Sequence, residues 1–435
     1  MATINQMYGI GISGLTAQKA LAAIASQNIA NADTPGYVRQ SLSLTSRRFG
    51  LPGVDVEGPR AIRNPFLSRQ LVDTFGRLGY HEGQQAALMR IQGVVNDLDG
   101  SGIGPQLTSF QTALSTLSAN PNSTPDRDAV LASAEQLAVS VNSARRQLLE
   151  GADATYDEAV STVDEVNTMA TEIAALNDQI KSLVGANKNA NELISKRDYM
   201  ISELGRLVDV ETVAQQDGSV SVFVGAGRAL VDGSGASELV VSNPGPAPDY
   251  TVDVTLKRSN GQVLELGAPV GGRVGGLVDA YQDTAAAAVT ELDAFAQQIT
   301  DSVNAAHGAP FFSFDGTTLS LDPAVDGNPA AINVDGTGQA AADMAALVNE
   351  GNPSLLDSWQ AITRNISEPL SLAETGVSLE GAQATQLEML LLSETAVSID
   401  EELVALSQAN AAFEASSEVI RVAEQLTSTV LNMVG

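Results

Sequence analysis

The 435-residue sequence is poor in the residue types that most often build catalytic and metal sites. It contains no cysteine and only two histidines, His81 and His307. Without cysteine, neither a disulfide nor a thiolate zinc site can form. The histidines form neither a His-Glu-x-x-His helix nor a pair at metal-binding spacing. His81 is predicted to be a solvated surface residue, and His307, beside Gly308, to end a helix. We therefore expect no catalytic residue, no metal, no cofactor and no enzymatic activity.

Basic residues are also scarce. Lys and Arg number 23 against 52 Asp and Glu, which gives a formal net charge of −29. This excess opposes binding to nucleic acid or to an anionic membrane, and part of it serves simple solubility. Residues 1–14 carry no Lys or Arg before their apolar residues, unlike a secretory signal peptide. No stretch approaches the roughly 18 apolar residues of a membrane span. Neither nucleic acid nor a membrane is an expected partner.

The two ends of the chain carry the clearest helical pattern. In residues 3–30 apolar and small side chains recur at alternating spacings of three and four. Residues 385–434 keep this rhythm, with a slip after Ala409 that resembles a three-residue insertion in a coiled coil. A 3.5-residue period is typical of a helix that packs along another helix. Each end is predicted to form one long helix. Two ordinary amphipathic helices on a single core are the alternative, but the pattern at both ends favours assembly.

These stripes, together with the string that follows the first of them, form the predicted assembly interface. Alone, each stripe would leave apolar surface exposed, and we expect neighbouring subunits to cover it. The predicted interface residues are Met7, Ile10, Gly14, Leu21, Ile24, Asn28, Asn31, Thr34, Pro35, Gly36, Tyr37, Ile399, Leu403, Leu406, Phe413, Val419, Leu426 and Val430.

Residues 28–37 (Asn-Ile-Ala-Asn-Ala-Asp-Thr-Pro-Gly-Tyr) predict a sharp end to the first helix. Asn31 is predicted to adopt the left-handed conformation that ends many helices. Pro35 prevents the helix from continuing. Pro35-Gly36 supplies the two central residues of a type II turn, of which the second needs a positive φ. The string therefore predicts a rigid turn from Thr34 to Tyr37.

The same string resembles the motif that follows the first helix in the rod, hook and hook-associated proteins of the bacterial flagellum. Residues 410–420 (Asn-Ala-Ala-Phe-Glu-Ala-Ser-Ser-Glu-Val-Ile) resemble the C-terminal tail that these proteins share. Residues 120–137 and 174–210 are similar to the FlgK family of hook-associated proteins. The resemblance covers both ends and the middle, roughly half of the chain.

The middle of the chain is predicted to be helical between Asn64 and Arg206. Asn64-Pro65 and Thr124-Pro125 each pair a capping residue with proline at the first helical position. Residues 156–184 carry apolar side chains on one side of a helix. Hook protein has a mostly β middle, so this helical segment favours a hook-associated protein.

The remaining stretch is predicted to be rich in β structure. Alternating residues flank a two-residue turn signal in three places, which is the strongest short sequence signal for a hairpin. The predicted hairpins are residues 210–224 around Asp217-Gly218, 250–266 around Asn260-Gly261 and 311–321 around Asp315-Gly316. A helix is predicted at about 276–306. The glycine-rich run 271–276 lacks the Lys-Ser/Thr of a phosphate loop and is interpreted as a hinge between domains.

Together these patterns predict an α+β fold with long terminal coiled-coil-like helices, a helical body domain and an inserted β-rich domain. The predicted segments are 1–60 (N-terminal assembly helix and turn), 61–207 (helical body, first part), 208–272 (β-rich inserted domain), 273–306 (returning helix of the body), 307–371 (mixed β/α segment) and 372–435 (C-terminal assembly helix).

The resemblance implies a structural subunit of the flagellum that forms the hook–filament junction and polymerises through its terminal helices. It implies an extracellular location, reached through the flagellar export apparatus without a cleaved signal. The implied partners are other copies of the chain, hook protein, hook-associated protein 3 as second junction protein, and an export chaperone at the C-terminal helix. Two alternatives stay open. Another axial protein, such as hook or distal rod, would be favoured by β structure at 60–205. A scaffold carrying an enzymatic β domain at 210–380 is the other.

Overall fold

The computed structural model describes residues 2–47, 53–95, 102–242, 250–267, 269–332, 336–350 and 353–434. The first helix, α1 (Ala2–Ala30), forms where residues 3–30 were predicted to be helical. Four short strands that the sequence pattern did not predict follow it: β1 (Gln40–Ser41), β2 (Leu44–Ser46), β3 (Val54–Val56) and β4 (Arg60–Ala61). They form two antiparallel pairs, β1 with β4 and β2 with β3.

The predicted helical segment is confirmed as four helices: α2 (Pro65–Gln92), α3 (Ile103–Ala119), α4 (Thr124–Gly185) and α5 (Asn191–Leu207). The Asn64 side chain caps α2 by accepting a hydrogen bond from the Leu67 amide at 3.1 Å. The predicted cap at Thr124 is wrong, because Ser123 caps α4 by accepting from the Asp126 amide and Thr124 is the first helical residue. Proline is tolerated throughout the first turn, so its position alone does not identify the cap.

Two antiparallel sheets follow. The first has the order β5-β6-β7-β8 and the second β11-β10-β9. Their strands are β5 (Val210–Ala214), β6 (Val220–Val224), β7 (Arg228–Asp232), β8 (Gly235–Ala236), β9 (Glu238–Val241), β10 (Val254–Lys257) and β11 (Val263–Glu265). The first two of the three predicted hairpins are confirmed here: β5 pairs with β6, and β10 pairs with β11. Gly218 and Gly261 have φ values of +87° and +82°, which explains why glycine stands in these turns.

The predicted returning helix is also confirmed. It runs without interruption through α6 (Gly272–Asp279), a π-helical segment (Ala280–Ala285) and α7 (Ala286–His307). The interpretation of residues 271–276 as a hinge is wrong, since most of the run lies inside α6. A Cβ atom on Gly276 would overlap the backbone of Tyr80, and one on Gly83 of α2 would overlap the backbone of Arg273. The glycines thus let α2 and α6 pack backbone against backbone.

In the last part of the chain the third predicted hairpin is confirmed, with strands β12 (Phe312–Phe314) and β13 (Leu319–Leu321). The described residues after it form a short 3-10 helix (Pro329–Ala331) and the α-helices α8 (Gln339–Asn349), α9 (Leu355–Thr395) and α10 (Ile399–Val434). The prediction of one helix over 385–434 is wrong, because Ala396 is extended with ψ of 158°. At the start of α10, the side-chain hydroxyl of Ser398 accepts a hydrogen bond from the Glu401 amide at 3.5 Å. The Ser398-x-x-Glu401 spacing is a capping-box pattern that could have revealed this break.

Among the residues that the structure describes, buried apolar side chains form three clusters. The largest joins α3, α4, α7, α8 and the start of α9 around Phe110, Phe311 and Trp359. The second packs α4, α5 and α6 against the sheets of β5–β11. The third is small and lies between α2 and α9. None of these clusters includes a described residue of α1 or α10.

Asparagine side chains on helices pair with strand residues in the manner of a neighbouring strand. In each case Nδ2 donates to the carbonyl oxygen of one strand residue, and Oδ1 accepts from the amide of that residue, at 2.7–3.0 Å. The pairs are Asn142 with Leu319, Asn167 with Leu239, Asn177 with Val220, and Asn304 with Phe312. These contacts fix β13, β9, β6 and β12 against α4 and α7.

Candidate assembly interface

The two terminal helices pack against each other within one chain. They run antiparallel, since Gly11 and Gly14 of α1 lie against Ile420 and Ser416 of α10. A Cβ atom on Gly11 would stand 2.5 Å from Cγ1 of Ile420, and one on Gly14 would stand 2.9 Å from Oγ of Ser416. The fully buried apolar residues of this contact are all alanines: Ala17, Ala25, Ala409 and Ala423. Small side chains therefore allow close approach, and the pair buries little apolar surface.

We call α1, β1–β4 with their connections, and α10 the terminal unit. Part of the predicted interface packs inside this unit, so a neighbouring subunit is not needed to cover it. Asn28 is buried, and Met7, Gly14, Leu21, Ile24 and Leu406 are half-buried. The remaining predicted stripe residues stay on the surface, with exposed fractions of 37–51%: Ile10, Ile399, Leu403, Phe413, Val419, Leu426 and Val430. The two predicted stripes thus each divide into a packed part and an exposed part.

The C-terminal half of α10 exposes one continuous apolar row. Val419, Val422, Leu426, Val430 and Met433 follow one another at spacings of three and four, so they share one side of the helix. Met433 is the most exposed of them, at 81%. Ala423 lies beside this row and is buried, so it marks the edge at which α10 meets α1. The row, which we call the α10 row, keeps 37–81% of each residue exposed, so the part of the chain that the structure describes leaves it largely open.

Asn28 clamps the chain that returns along α1. Its Nδ2 donates to the carbonyl oxygen of Gln40 at 2.9 Å, and its Oδ1 accepts from the Gln40 amide at 3.0 Å. The hydroxyl of Tyr37 donates to the same Oδ1 at 2.9 Å. Burial raises the pKa of Tyr37 above that of a free phenol. Asn28 was predicted as a stripe residue, and its amide in fact fixes the start of β1.

The predicted type II turn is confirmed. The Tyr37 amide donates to the Thr34 carbonyl oxygen at 3.0 Å, and Gly36 has a φ of +73°. A Cβ atom on Gly36 would lie 2.5 Å from Cβ of Tyr199 on α5, so the turn rests against the neighbouring helix. Thr34 and Pro35 are exposed.

The predicted left-handed conformation of Asn31 is wrong, because Asn187 alone has a positive φ among the described residues other than glycine. The Asn31 amide donates to the carbonyl oxygens of Gln27 and Asn28, and its Nδ2 also donates to Gln27. The chain then leaves α1 through a further turn, in which the Thr34 amide donates to the Asn31 carbonyl oxygen at 3.0 Å. Successive turns of ordinary handedness are sufficient to end this helix.

Arg39 contacts both helices that meet at the break. Its amide donates to the carbonyl oxygen of Thr395, at the end of α9, at 2.9 Å. Its Nε lies 2.7 Å from Glu402 and its Nη1 3.0 Å from Glu401, both in the first turn of α10. Glu402 is only 4% exposed. Carboxylates at the start of α10 also interact favourably with the helix dipole.

Most other contacts between the terminal unit and the rest of the protein are polar. Nδ2 of Asn191 on α5 donates to the Pro59 carbonyl oxygen at 2.7 Å. Gln27 donates to Glu192, also on α5. The terminal unit therefore touches the helical body through hydrogen bonds rather than through a shared apolar core.

The histidines lie where they support packing. The prediction of a solvated His81 is wrong: a Cβ atom on Gly376 of α9 would overlap its ring, and its Nδ1 is buried without a hydrogen-bond partner among the described residues. His307 is the last residue of α7, as predicted, and Gly308 follows with φ of +74°. In the described ranges no group of three or more His, Asp or Glu side chains could hold a metal ion. No described helix is long and apolar enough to cross a membrane.

Three family models match parts of the chain. The model of the helical domain of flagellar hook-associated protein FlgK matches residues 88–318, which is more than half of the chain. The flagella basal body rod protein model matches residues 10–37, and the C-terminal model of the flagellar basal body rod proteins FlgEFG matches residues 391–433. The two rod-protein models thus fall on the terminal unit and the end of α9.

Several known proteins are similar to the chain. Flagellar hook-associated protein 1 of Bacillus subtilis is 24% identical over 97% of this chain and 96% of its own length. The proteins of the same name from Escherichia coli and Salmonella typhimurium are 28% and 29% identical over 60% of this chain. The chain spans about half the length of these two relatives. A solved structure of the flagellar hook junction protein FlgK from Burkholderia pseudomallei aligns with 56% of this chain and 46% of its own, at 24% identity and a TM-score of 0.49.

Proposed function

We propose, from the premise that this chain belongs to the FlgK family of flagellar hook-associated proteins, that it is a structural subunit of the bacterial flagellum at the hook–filament junction. The observation that carries the proposal is the FlgK helical-domain match joined to a terminal unit with an open apolar row. The helices α2–α5 favour this function over that of hook or distal rod, for which β structure at 60–205 was expected. No observation in the described strands β5–β13 favours the enzymatic alternative.

Self-assembly would use the α10 row together with the exposed side chains Ile10 and Ile12 of α1. Each side chain of the row is already partly covered, so covering the remainder contributes about 1 kcal/mol per side chain. The same contact repeats between every pair of neighbouring copies, so a small contribution per subunit stabilises a layer of many. If the α10 row of one copy packs against a different surface of the next copy, the contact is heterologous. Repetition of such a contact from copy to copy builds a ring or a helical tube.

We further propose that the residues predicted from the sequence do form the assembly interface, and that they divide into two groups with different roles. The exposed group, which includes Phe413, Val419, Leu426 and Val430, would contact other subunits. The packed group, which includes Gly14, Asn28 and Leu406, would hold the terminal unit together, and the turn at Gly36 would seat it on α5. Hook protein, hook-associated protein 3 and an export chaperone at α10 are the proposed further partners. Export through the flagellum without a cleaved signal is the proposed route.

The test is a substitution on the α10 row in a flagellated strain that lacks its own hook-associated protein 1. Leu426→Asp places a charge where a neighbouring apolar surface should pack, and burying an unpaired charge costs several kcal/mol. We expect a protein that is exported but does not join the junction, so that filament protein is shed into the medium and motility is lost. Gln425→Asp, on the same turn of α10 but outside the row, is the matched control and should leave motility intact.

Two results would contradict the proposal. Normal filaments on cells that carry Leu426→Asp would mean that the α10 row is not covered in the assembly. Equal loss of motility with Gln425→Asp would mean that added charge anywhere on α10, rather than loss of the row, prevents assembly. Detection of each variant in the culture medium separates failed assembly from failed export.

A further inference from the structure

The terminal unit meets the helical body along one side of α5. Asn191, Glu192, Ser195 and Tyr199 follow one another at spacings of one, three and four residues, so they share a side of this helix. Each of the four contacts either the terminal unit or the connection that leads from it into α2. At 1.5 Å per residue, the contacts extend over about 12 Å of helix. We call these four residues the α5 seat.

Three side chains of the α5 seat contact the terminal unit itself. Nδ2 of Asn191 donates to the Pro59 carbonyl oxygen at 2.7 Å. The Glu192 carboxylate accepts a hydrogen bond from the side chain of Gln27, near the end of α1. The third side chain, Tyr199, lies against the glycine of the type II turn. The α5 seat therefore holds the first helix, the turn and the returning chain together against the body.

Two further contacts between the unit and the body lie beside the covalent connections. Arg63, in the connection to α2, donates to the Asn191 carbonyl oxygen at 3.2 Å and to Ser195 at 3.3 Å. The main-chain amide of Arg39 donates to the carbonyl oxygen of Thr395, the last residue before the link from α9 to α10. A contact beside a pivot resists rotation only weakly, because its lever arm is short. Resistance to rotation therefore falls mainly to the α5 seat.

The α5 seat is polar and partly open to water. Glu192 is exposed, Tyr199 is 42% exposed and Asn191 is half-buried. None of the three buried apolar clusters includes a described residue of α1 or α10. Polar groups of this kind exchange their partners for water when they separate, so the terminal unit can leave the seat without opening an apolar core. The pair of α1 and α10 and the clamp at Asn28 do not use α5 and would stay intact.

We infer that the α5 seat sets the angle between the terminal unit and the body, and that the unit leaves this seat as one piece that pivots on its two covalent connections. One pivot is the link at 396–398, where Ala396 is extended with φ of −71° and ψ of 158°. The other is the connection at residues 62–64. Removing the side chains of the seat frees the angle while α1 and α10 stay packed on each other. This behaviour belongs to the free chain, so a negative result would leave the proposed role at the junction untouched.

The absence of cysteine makes a spin-label experiment direct, because two introduced cysteines are the only labelling sites. Glu172→Cys on α4 and Glu414→Cys on α10 are exposed positions in the body and in the terminal unit. In the otherwise unchanged chain, pulsed electron paramagnetic resonance should give one narrow distribution of the distance between these labels.

The test variant removes the three side chains of the seat that touch the unit, by combining Asn191→Ala, Glu192→Ala and Tyr199→Ala. Alanine favours helix and none of the three residues is fully buried, so α5 should keep its fold. We expect the width of the body-to-unit distribution at least to double. Lys196→Ala, at an exposed position of the same helix outside the seat, is the matched control and should leave the width unchanged.

A second label pair separates rotation from unfolding. Lys19→Cys on α1 and Glu424→Cys on α10 both lie within the terminal unit and are exposed. Their distribution should stay narrow with and without the triple substitution.

Four results would overturn the inference. An equally narrow body-to-unit distance in the triple variant would show that other contacts set the angle. A broad distance already in the unchanged chain would show that the seat does not hold the unit. Broadening within the unit would show that α5 supports the fold of the unit rather than its angle. Equal broadening with Lys196→Ala would show that any change on α5, rather than loss of the seat, releases the unit.

Discussion

Replacement of Asn28 by leucine should detach the returning chain from α1 without unfolding the body. The substitution removes the two hydrogen bonds with Gln40 and the one from Tyr37. A hydrogen bond contributes about 1 kcal/mol net to stability, and leaving a buried partner unpaired costs 1–3 kcal/mol. Gln40 is only 3% exposed, so its amide and carbonyl group lose their partner without gaining full access to water. We expect a local loss of about 3 kcal/mol.

Hydrogen exchange at the Gln40 amide measures this loss directly. Its present acceptor is Oδ1 of Asn28, so exchange requires that this contact opens. A loss of about 3 kcal/mol corresponds to roughly 100-fold faster exchange, since about 1.4 kcal/mol changes an equilibrium tenfold. The fluorescence of Trp359, the only tryptophan, reports on the body, where it is 2% exposed beside Phe295. The unfolding transition seen by Trp359 should not move.

Asn31→Ala is the matched control, because Asn31 lies in the same string but its side chain does not touch Gln40: its Nδ2 donates to the Gln27 carbonyl oxygen, and its Oδ1 accepts weakly from the Thr34 hydroxyl at 3.5 Å. It should accelerate exchange at Gln40 by less than about tenfold, the equivalent of one modest hydrogen bond. The reasoning is refuted if Asn28→Leu leaves exchange at Gln40 unchanged. It is also refuted if Asn31→Ala has an equal effect, because the clamp would then not depend on the amide of Asn28.

Gly36→Val should accelerate hydrogen exchange across residues 34–37 more than Gly36→Asn, since a β-branched residue resists a φ of +73° more strongly than asparagine; equal exchange would contradict this. Hydrogen bonds from the side chain and amide of Ser219, together with Lys181, lower the pKa of Asp217 to about 2. Its contribution to the β5–β6 hairpin is therefore present above the ordinary pKa of 3.8 and is lost as the pH falls through about 2. Lys181→Ala should raise that pKa in a nuclear magnetic resonance titration, and an unchanged value would count against the assignment. Leu406→Asp should loosen α10 from α1, because Leu406 is half-buried in the terminal unit; unchanged exchange in α10 would show that the site tolerates a charge.

Much of the fold follows from local sequence signals. The 3.6-residue periodicity located α4, and the Asp-Gly and Asn-Gly pairs located the hairpins β5–β6, β10–β11 and β12–β13, because those turns need glycine at a positive φ. The turn at Gly36 was predictable for the same reason. At the interface, the sequence predicted a helix at each end that packs lengthwise on a partner, but it did not predict that α1 and α10 pack on each other within one chain, as the contact of Gly14 with Ser416 shows.

Other features depend on contacts that a single sequence does not display. The apolar rhythm continues through residues 396–398, so the break is visible only in the weaker capping pattern of Ser398 and Glu401. The strands β1–β4 have two or three residues each, too few for an alternation to be recognised. The buried role of Asn28 depends on where Gln40 returns. The glycines at 271–276 look alike whether they serve a hinge or a close helix crossing.

The asparagine pairs have a consequence for a molecule that polymerises. A strand at the edge of a sheet offers free amide and carbonyl groups to any other strand, which is a common route to aggregation. Asn142 and Asn304 occupy the two outer edges of the β12–β13 hairpin, and Asn167 occupies the free edge of β9. Asn28 does the same for β1. Helical side chains thus leave these edges with fewer groups to offer another chain, which lowers the tendency of crowded copies to pair through these strands.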